Sequence, residues 1–316
     1  MTKTPRRERP LVRDNIPRGA IVIQKVFGMK NIGIIANVKK ELTKGVVEEI
    51  ICWVGENGID FFICEELTPL VGHKEKSLSR AKLGESSEVL ISLGGDGTML
   101  ASARAVGEHQ TPILGINLGG VGFLTEINSN DLQNTLNKLK AGDYFIEKRM
   151  VLETEIEGVN KFDQYALNDV VIDKGEVARL FLLHLYAQDE FICSYSADGL
   201  IISAPTGSTA YSLAAGGPII NPQMNAIIVS PICPHTLASR PIVFSENETL
   251  KVIVELSSRE AVLTIDGQVA FGLKSGSSVL VRKAKHSVNL IKFRDRSFYE
   301  ILRRKLHWGA RPKIGE

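Results

Sequence analysis

The sequence is poor in cysteine and histidine, nearly neutral in charge, and without a long apolar run. Its four cysteines (Cys52, Cys64, Cys193, Cys233) form no CxxC pair and no CxxC–HxxxH spacing, which argues against a structural zinc site. Scattered thiols of this kind fit a reducing compartment, so a cytoplasmic location is expected. None of the six histidines stands at metal-ligand or triad spacing, and His109, His184 and His235 read as ordinary polar residues. A net charge of +2 argues against a basic face or stripe, so no nucleic-acid partner is expected. The nearest imitation of a membrane span is Gly199 to Ser239, which contains no Asp, Glu, Lys or Arg. Five prolines there (Pro205, Pro218, Pro222, Pro231, Pro234), with many Gly, Ser and Thr, rule out a lipid-embedded helix, and no membrane partner is expected. An uncharged, turn-rich segment of that length points to burial around a ligand or an interface. Common nucleotide motifs are missing too: no GxxxxGK[ST] loop, no GxGxxG opening a helix after a strand, and no HRD or DFG set.

What is present is the composition of a soluble globular protein, 44% apolar and 23% charged, long enough for one large or two ordinary domains. Residues 1–28 are rich in arginine (Arg6, Arg7, Arg9, Arg13, Arg18) with little periodicity. No apolar h-region follows, which excludes a signal peptide, and the expectation is a disordered extension with Met29 as an alternative start. Residues 29–143 alternate strand and helix patterns. Ile32 to Ala36, Ile59 to Cys64, Glu88 to Leu93 and Pro112 to Asn117 are apolar runs. Val46, Val47, Ile50, Ile51 and Val54 recur at helical spacing, and Ser129 can cap a helix through Leu132, Leu136 and Leu139 that stops at Gly142. This alternation predicts an α/β domain with a mainly parallel sheet. From 144 to 293 the period changes to two. Strands are expected at Val170–Ile172, Leu180–Tyr186, Leu250–Leu256, Val262–Ile265, Val279–Arg282 and Val288–Phe293, which makes a second, β-rich domain. Residues 294–316 open on a capping box, Ser297-Phe298-Tyr299-Glu300. The helix after it has an apolar face (Phe298, Ile301, Leu302, Leu306) suited to packing back on the first domain.

The stretch Val89 to Leu100, VLISLGGDGTML, stands out. A buried strand runs into Gly94-Gly95-Asp96-Gly97-Thr98 and then into a helix-compatible segment. That order presents free amides and the positive end of a helix dipole to a phosphate. Asp96 is the odd member, because a bare carboxylate would repel the ligand unless it holds a metal or takes a proton. A hairpin at this Asp-Gly is a poorer fit, since a helix follows. At Asp266-Gly267 the opposite holds: alternating apolar residues flank it, and a hairpin turn suffices. Asp198-Gly199 suits a turn as well, but it leads straight into the uncharged stretch. In that stretch Thr206 or Ser208 can cap a short helix ended by Gly216 and Pro218. Its small residues suit either a ligand pocket, with Tyr211 flanking a base or ribose, or a tight interface of packed turns. Asn168-Asp169 begins a strand and could bind ribose hydroxyls, although such a pair alone is more often a turn.

Taken together, GGDGT at Gly94–Thr98, Asn168-Asp169 and DGLIISAPTGSTAYSLAAGGPI at Asp198–Ile219 resemble the NAD kinase family, over nearly all of the chain from Lys30 to Leu306. GGDGT alone is shared with lipid kinases, with a near relative in phosphofructokinases; the longer stretch is far more specific. The resemblance implies transfer of the γ-phosphate of ATP to the 2′-hydroxyl of the adenosine ribose of NAD. It also implies a crevice site between two domains, a divalent cation such as Mg²⁺, and a homodimer or homotetramer. By the resemblance Asp96 is the general base and Gly97 touches the dinucleotide, with Gly94, Gly95 and Thr98 beside them on the phosphates. Asn168, Asp169, Thr209, Ala210, Tyr211, Ser212, Leu213, Ala214, Asp198 and Gln268 bind the substrate. Arg179 matches a position used for a contact across subunits, and Ser196 stands where some relatives carry a basic residue near the substrate. Two other readings compete: a diacylglycerol- or sphingosine-type lipid kinase, and a dinucleotide-binding protein without catalysis. A polar, hydroxyl-rich Thr206–Ser212 suits a dinucleotide better than an acyl chain, and an intact Asp96 with its glycines argues against lost catalysis.

Overall fold

A computed structural model describes residues 29–120, 122–125, 127–159, 164–175, 181–256, 261–294 and 297–307. The 1–28 extension and Arg179 lie outside the described residues. The first half contains β1 (Asn31–Ala36), α1 (Thr43–Glu56), β2 (Asp60–Cys64), α2 (Thr68–Val71), β3 (Ser77–Leu78) and α3 (Arg80–Ser86). It continues through β4 (Val89–Gly94), α4 (Asp96–Val106), β5 (Ile113–Asn117), β6 (Ile127–Asn128) and α5 (Leu132–Ala141). These strands pair in parallel in the order β3-β2-β1-β4-β5. β1 and β4 are apolar on both faces because helices cover both; Ile34, Ile35, Leu90 and Ile91 are fully buried, each contributing roughly 1.5–3 kcal/mol. The strand order reverses between β1 and β4, and a crevice opens beyond the carboxyl ends of these strands.

The second half is almost all strand. It contains β7 (Phe145–Ile156), β8 (Gln164–Ala166), β9 (Asp169–Asp173), β10 (Phe181–Ala187), β11 (Glu190–Ser196) and β12 (Gly199–Ser203). After the four-residue α6 (Tyr211–Ala214) come β13 (Ala226–Ile232), β14 (Ile242–Ser245), β15 (Leu250–Leu256), β16 (Ala261–Ile265), β17 (Val269–Leu273) and β18 (Ser278–Lys292). Strand β18 joins the parallel sheet at Leu290↔Ile113 and carries it on through β15, β10 and β11. A separate antiparallel sheet, ordered β14-β13-β12-β9-β16-β17, packs against that extension. Their facing residues, among them Leu183, Leu200, Ile202, Val252 and Leu263, form a second core distinct from the α/β one.

The structure departs from the sequence pattern in three places. The strands expected at Val279–Arg282 and Val288–Phe293 are one strand, β18, interrupted only by a register shift between Lys283 and Ser287 as it runs along β7. Ser129 does not cap α5: a 3₁₀ turn (Ser129–Asp131) intervenes and its hydroxyl bonds Asn128. Gly142 does end that helix, at φ +70. The short helix expected after Thr206 is split into a 3₁₀ turn (Thr206–Thr209) and α6, neither with a side-chain cap. Ser208 instead donates to the Pro205 carbonyl (2.6 Å) and accepts from the Ile220 amide (3.1 Å), which ties the turn down internally.

The last helix, α7 (Phe298–Leu306), starts at Ser297, whose side chain accepts the Glu300 amide. Ile301 and Leu302 are buried. Lys305 lies 5.8 Å over the Phe123 ring of the first domain, and Asn221 donates to the Tyr299 hydroxyl at 3.2 Å.

Candidate active site

Strand β4 delivers Gly94 to the crevice, and α4 begins two residues later at Asp96 with Gly95 as extended N-cap. Gly94 is needed for packing, since a Cβ there would stand 2.2 Å from Thr98 Oγ1. Gly95 and Gly97 have only open space where a Cβ would be, so their backbones face the crevice directly. Of the first-turn amides of α4, Thr98 N–H donates to the Gly95 carbonyl (3.0 Å), which leaves those of Asp96 and Gly97 without an intrahelical partner. Around them the crevice, about 560 Å³, is lined by Asn37, Lys39 and Lys40 after β1, by Arg80 of α3 and by Gln268. It lies at the β1/β4 reversal; Glu66 lines it as well and pairs with Arg80 at 2.9 Å, while Lys39 and Lys40 suit an anion.

Asp96 does not hang free among these amides. Its Oδ2 accepts the Phe123 amide and its Oδ1 the Leu124 amide, both at 3.0 Å. Those donors belong to the second glycine-rich loop. Gly122 allows the close approach: a Cβ there would fall 2.2 Å from Asp96 Oδ1. Asn117 holds the same loop, accepting from the Gly119 amide (2.8 Å) and donating to Thr125 Oγ1 (2.7 Å).

The opposite wall comes from the β-rich half. Asn168-Asp169 leads into β9, and the Gly207 turn lies on it so closely that a Cβ would meet the Asn168 carbonyl at 2.2 Å. The Asp169 side chain is 5% exposed and makes no hydrogen bond among the described residues. Burial, with the charge of Asp266 beside it, pushes its carboxyl up to about 7. Asp266 was not foreseen as more than a turn residue. The turn is there, with Asp266 at φ +51, Gly267 at φ +62 and the Gln268 amide on the Ile265 carbonyl. Yet its buried carboxylate also accepts the amides of Leu167, Asn168 and Asp169 at 2.8–3.2 Å. Burial raises its pKa while those amides and Arg104 pull it down. Two residues on, Gln268 donates to the Gly97 carbonyl (2.9 Å) and accepts from Arg104 Nη1 (3.0 Å). A three-residue hairpin tip therefore holds Asn168-Asp169 with one end and the GGDGT helix with the other.

The remaining expected residues divide. Thr209, Ala210 and Leu213 are partly exposed beside this wall, Ala214 is exposed, and Tyr211 is 48% exposed with its ring available. The Ser212 side chain is fully buried, its hydroxyl bonds Ser230 at 3.0 Å, and it packs against Gly217. Asp198 and Ser196 stand apart from that wall within one copy of the chain. In the ladder Ser203 pairs with Asp169 and Gly199 with Asp173, so the β11–β12 turn stands about 15 Å along the strands from Asn168-Asp169. There Asp198 pairs with Lys174 (2.6 Å) and faces His235 (3.9 Å), while Ser196 bonds His235 Nδ1 (3.0 Å). Among the described residues no group of three or more His, Cys, Asp or Glu could hold a metal ion.

Comparison with known proteins bears on this arrangement. The family model of the ATP-NAD kinase N-terminal domain matches residues 32–144, and that of the ATP-NAD kinase C-terminal domain matches 167–293. Together they cover more than half of the chain. It belongs to the NAD kinase family. An NAD kinase of Geotalea daltonii is 40% identical over 292 residues, covering 90% of this chain and all of that one. An NAD kinase of Desulforamulus reducens is 42% identical over 280 residues, 88% of this chain and 97% of its own. Among solved structures, yeast NADH kinase complexed with NADH superimposes with a TM-score of 0.83 at 22% identity, covering 91% of this chain and 90% of that one. An NAD kinase from Archaeoglobus fulgidus in complex with ATP gives 0.70 at 22% identity, over 88% and 98%. At that identity the two structures show the shared NAD kinase fold. Within the family this chain is a kinase, a phosphotransferase.

Proposed function

We propose that the chain transfers the γ-phosphate of ATP to the 2′-hydroxyl of the adenosine ribose of NAD, giving NADP and ADP. The observation that carries this reading is the hairpin tip: Asp266 grips Asn168-Asp169 while Gln268 grips the Gly97 carbonyl. That tip sets the wall suited to a ribose against the turn suited to phosphates. ATP phosphates would lie on the Gly95 and Gly97 backbone, the α4 amides and the cations of the crevice, with Thr98 in support. The ribose hydroxyls would engage the unpartnered Asp169 carboxyl and the Asn168 amide, with Thr209, Ala210 and Tyr211 around the adenosine. Asp96, oriented by two amides, accepts the proton of the 2′-hydroxyl as the O–P bond forms. Such assistance is typically worth about 10²–10⁴-fold, and alignment of donor and acceptor accounts for much of the rest.

A divalent cation, Mg²⁺ by preference, fits this donor set only as one carried on the ATP phosphates, because the described residues offer no cage. Asp96, with lone pairs beyond those given to the amides, is the protein group that would touch it. The ion supplies charge neutralisation on the transferring phosphoryl group. The distant position of Asp198 supports a homodimer or homotetramer in which Asp198, and by the family resemblance Arg179, reach the site of a neighbouring copy. Free thiols at Cys52, Cys64, Cys193 and Cys233 support a cytoplasmic setting. No helix among the described residues is long and apolar enough to cross a membrane.

Incubating the protein with NAD, ATP and Mg²⁺ and reading product with an NADP-specific dehydrogenase tests the reaction. Stoichiometric NADP and ADP are expected. Phosphorylation of a diacylglycerol or sphingosine in parallel vessels, with none of NAD, would overturn it.

A further inference from the structure

Helix α4 carries one cation, Arg104, two helical turns after Gly97 and on the same face. A helical side chain leans toward its own N-terminus, and the small Ala101 between them leaves Arg104 room to reach back toward Gly97. The two meet at Gln268, on the β16–β17 hairpin of the other half. Arg104 Nη1 donates to Gln268 Oε1 at 3.0 Å, and Gln268 Nε2 donates to the Gly97 carbonyl at 2.9 Å. Both ends of one side-chain amide are thus taken by α4.

The two bonds do different things. Gln268 is exposed, so it gives up rotamer freedom to hold the Gly97 carbonyl while water competes, and that bond alone is marginal. The bond from Arg104 is charge-assisted and stronger. It also sets the sense of the amide. A guanidinium can only donate, so Oε1 must face Arg104 and the NH₂ must face the Gly97 carbonyl; the flipped amide would put oxygen against oxygen. The far edge of the guanidinium makes no bond: Nε and Nη2 are buried without a hydrogen-bond partner among the described residues. The Asp266 carboxylate nearby is occupied by the amides of Leu167, Asn168 and Asp169. The charge of Arg104 does favour an ionised Asp266, but two buried donors left unmade set a cost against that gain. An uncharged side chain of similar length would fill the space about as well. What the packed edge supplies is a fixed direction for Nη1.

We propose that Arg104 is a positioning residue for the phosphoryl transfer: it orients the Gln268 amide and, through it, holds the GGDGT turn in register with the Asn168-Asp169 wall. Arg104 is not among the residues lining the phosphate crevice, so it acts through Gln268. The role rests on the reaction proposed above, because it concerns the alignment of donor with acceptor and not the grip of either wall on its own ligand.

Arg104→Met keeps the length and removes the donor. It should lose about tenfold or more in kcat, with Kd for NAD within about threefold of wild type, because the wall stays held by Asp266. It should melt within about 4 °C of wild type. Arg104→Lys, a donor-only head with a shorter reach, should recover part of the loss. Gln268→Leu removes the same clasp from an exposed position and should lose at least as much kcat; adding Arg104→Met to it should cost nothing further. The side-chain NH₂ signals of Gln268 in a nitrogen-labelled NMR spectrum, identified by their absence from Gln268→Leu, should shift in Arg104→Met whether or not the chain turns over. Wild-type kcat in Arg104→Met, losses that add in the double variant, or unmoved Gln268 signals would overturn the role. No NADP from the wild-type chain, with those signals shifting as expected, would refute the reaction and leave the clasp standing.

Discussion

Replacing Gly122 by alanine places a methyl carbon 2.2 Å from Asp96 Oδ1 and 2.4 Å from Thr125 Oγ1. Neither neighbour can give way freely. The Asp96 carboxylate is fixed by the Phe123 and Leu124 amides on either oxygen, and Thr125 accepts the Asn117 side chain. Clearing the overlap needs a shift of about 1 Å, and a misplacement of that size at a reacting group costs about 10²-fold in rate. The amide bonds to a charged group, each worth roughly 1.5–3 kcal/mol, lengthen or break as the loop moves. Gly122→Ala should therefore lose about 10²-fold in kcat while still binding NAD. Gly120→Ala in the same loop is the control: its Cβ meets nothing within 4 Å and its φ is not positive, so its turnover should stay near wild type. Steady-state rates with NAD and ATP, with a thermal melt to verify folding, read both variants. Wild-type turnover in Gly122→Ala, or an equal loss in both, would refute the claim that Gly122 sets the position of Asp96.

Asp169 carries a pH signature. With a native pKa of about 7 against 3.8 in the unfolded chain, the native state holds a proton that the unfolded state has lost between those values. Stability should thus fall as pH rises from 4 to 7 and level off above, by on the order of a few kcal/mol, and Asp169→Asn should flatten that fall in urea melts. Asp266→Ala strips the acceptor from three buried amides, each costing roughly 1–3 kcal/mol, and should lower Tm and raise KM for NAD together. Ser212→Ala orphans the Ser230 hydroxyl and should cost about 1 kcal/mol of stability with KM for NAD unchanged, as kinetics beside a denaturant titration will show.

What could be read from the sequence was local. The apolar runs at Ile32–Ala36 and Val89–Leu93 read as strands covered on both faces, and the glycine turn after Leu93 followed by helix formers sets a helix N-terminus at the end of β4. The Ser297–Glu300 capping box is likewise written in four residues. Asp266 marks the limit. Its Asp-Gly turn follows from the local pattern, but the carboxylate serves amides about a hundred residues earlier, and no local pattern encodes that. Its nearness to Gln268, two residues on, was the available signal. Ser212 and Asp198 show the same limit: the motif fixes which residues are small or acidic, while packing and register decide which way each one faces. Arg104 carried no signal beyond being a cation in a helix of small residues.

Asp96 is proposed as the base for an acceptor held by the opposite wall. The most direct measurement is the pair Kd for NAD and kcat in Asp96→Asn, taken with the same folded protein. Retained Kd with kcat reduced about 10²–10⁴-fold is the predicted result. Turnover equal to wild type, or NAD binding lost along with it, would contradict that role.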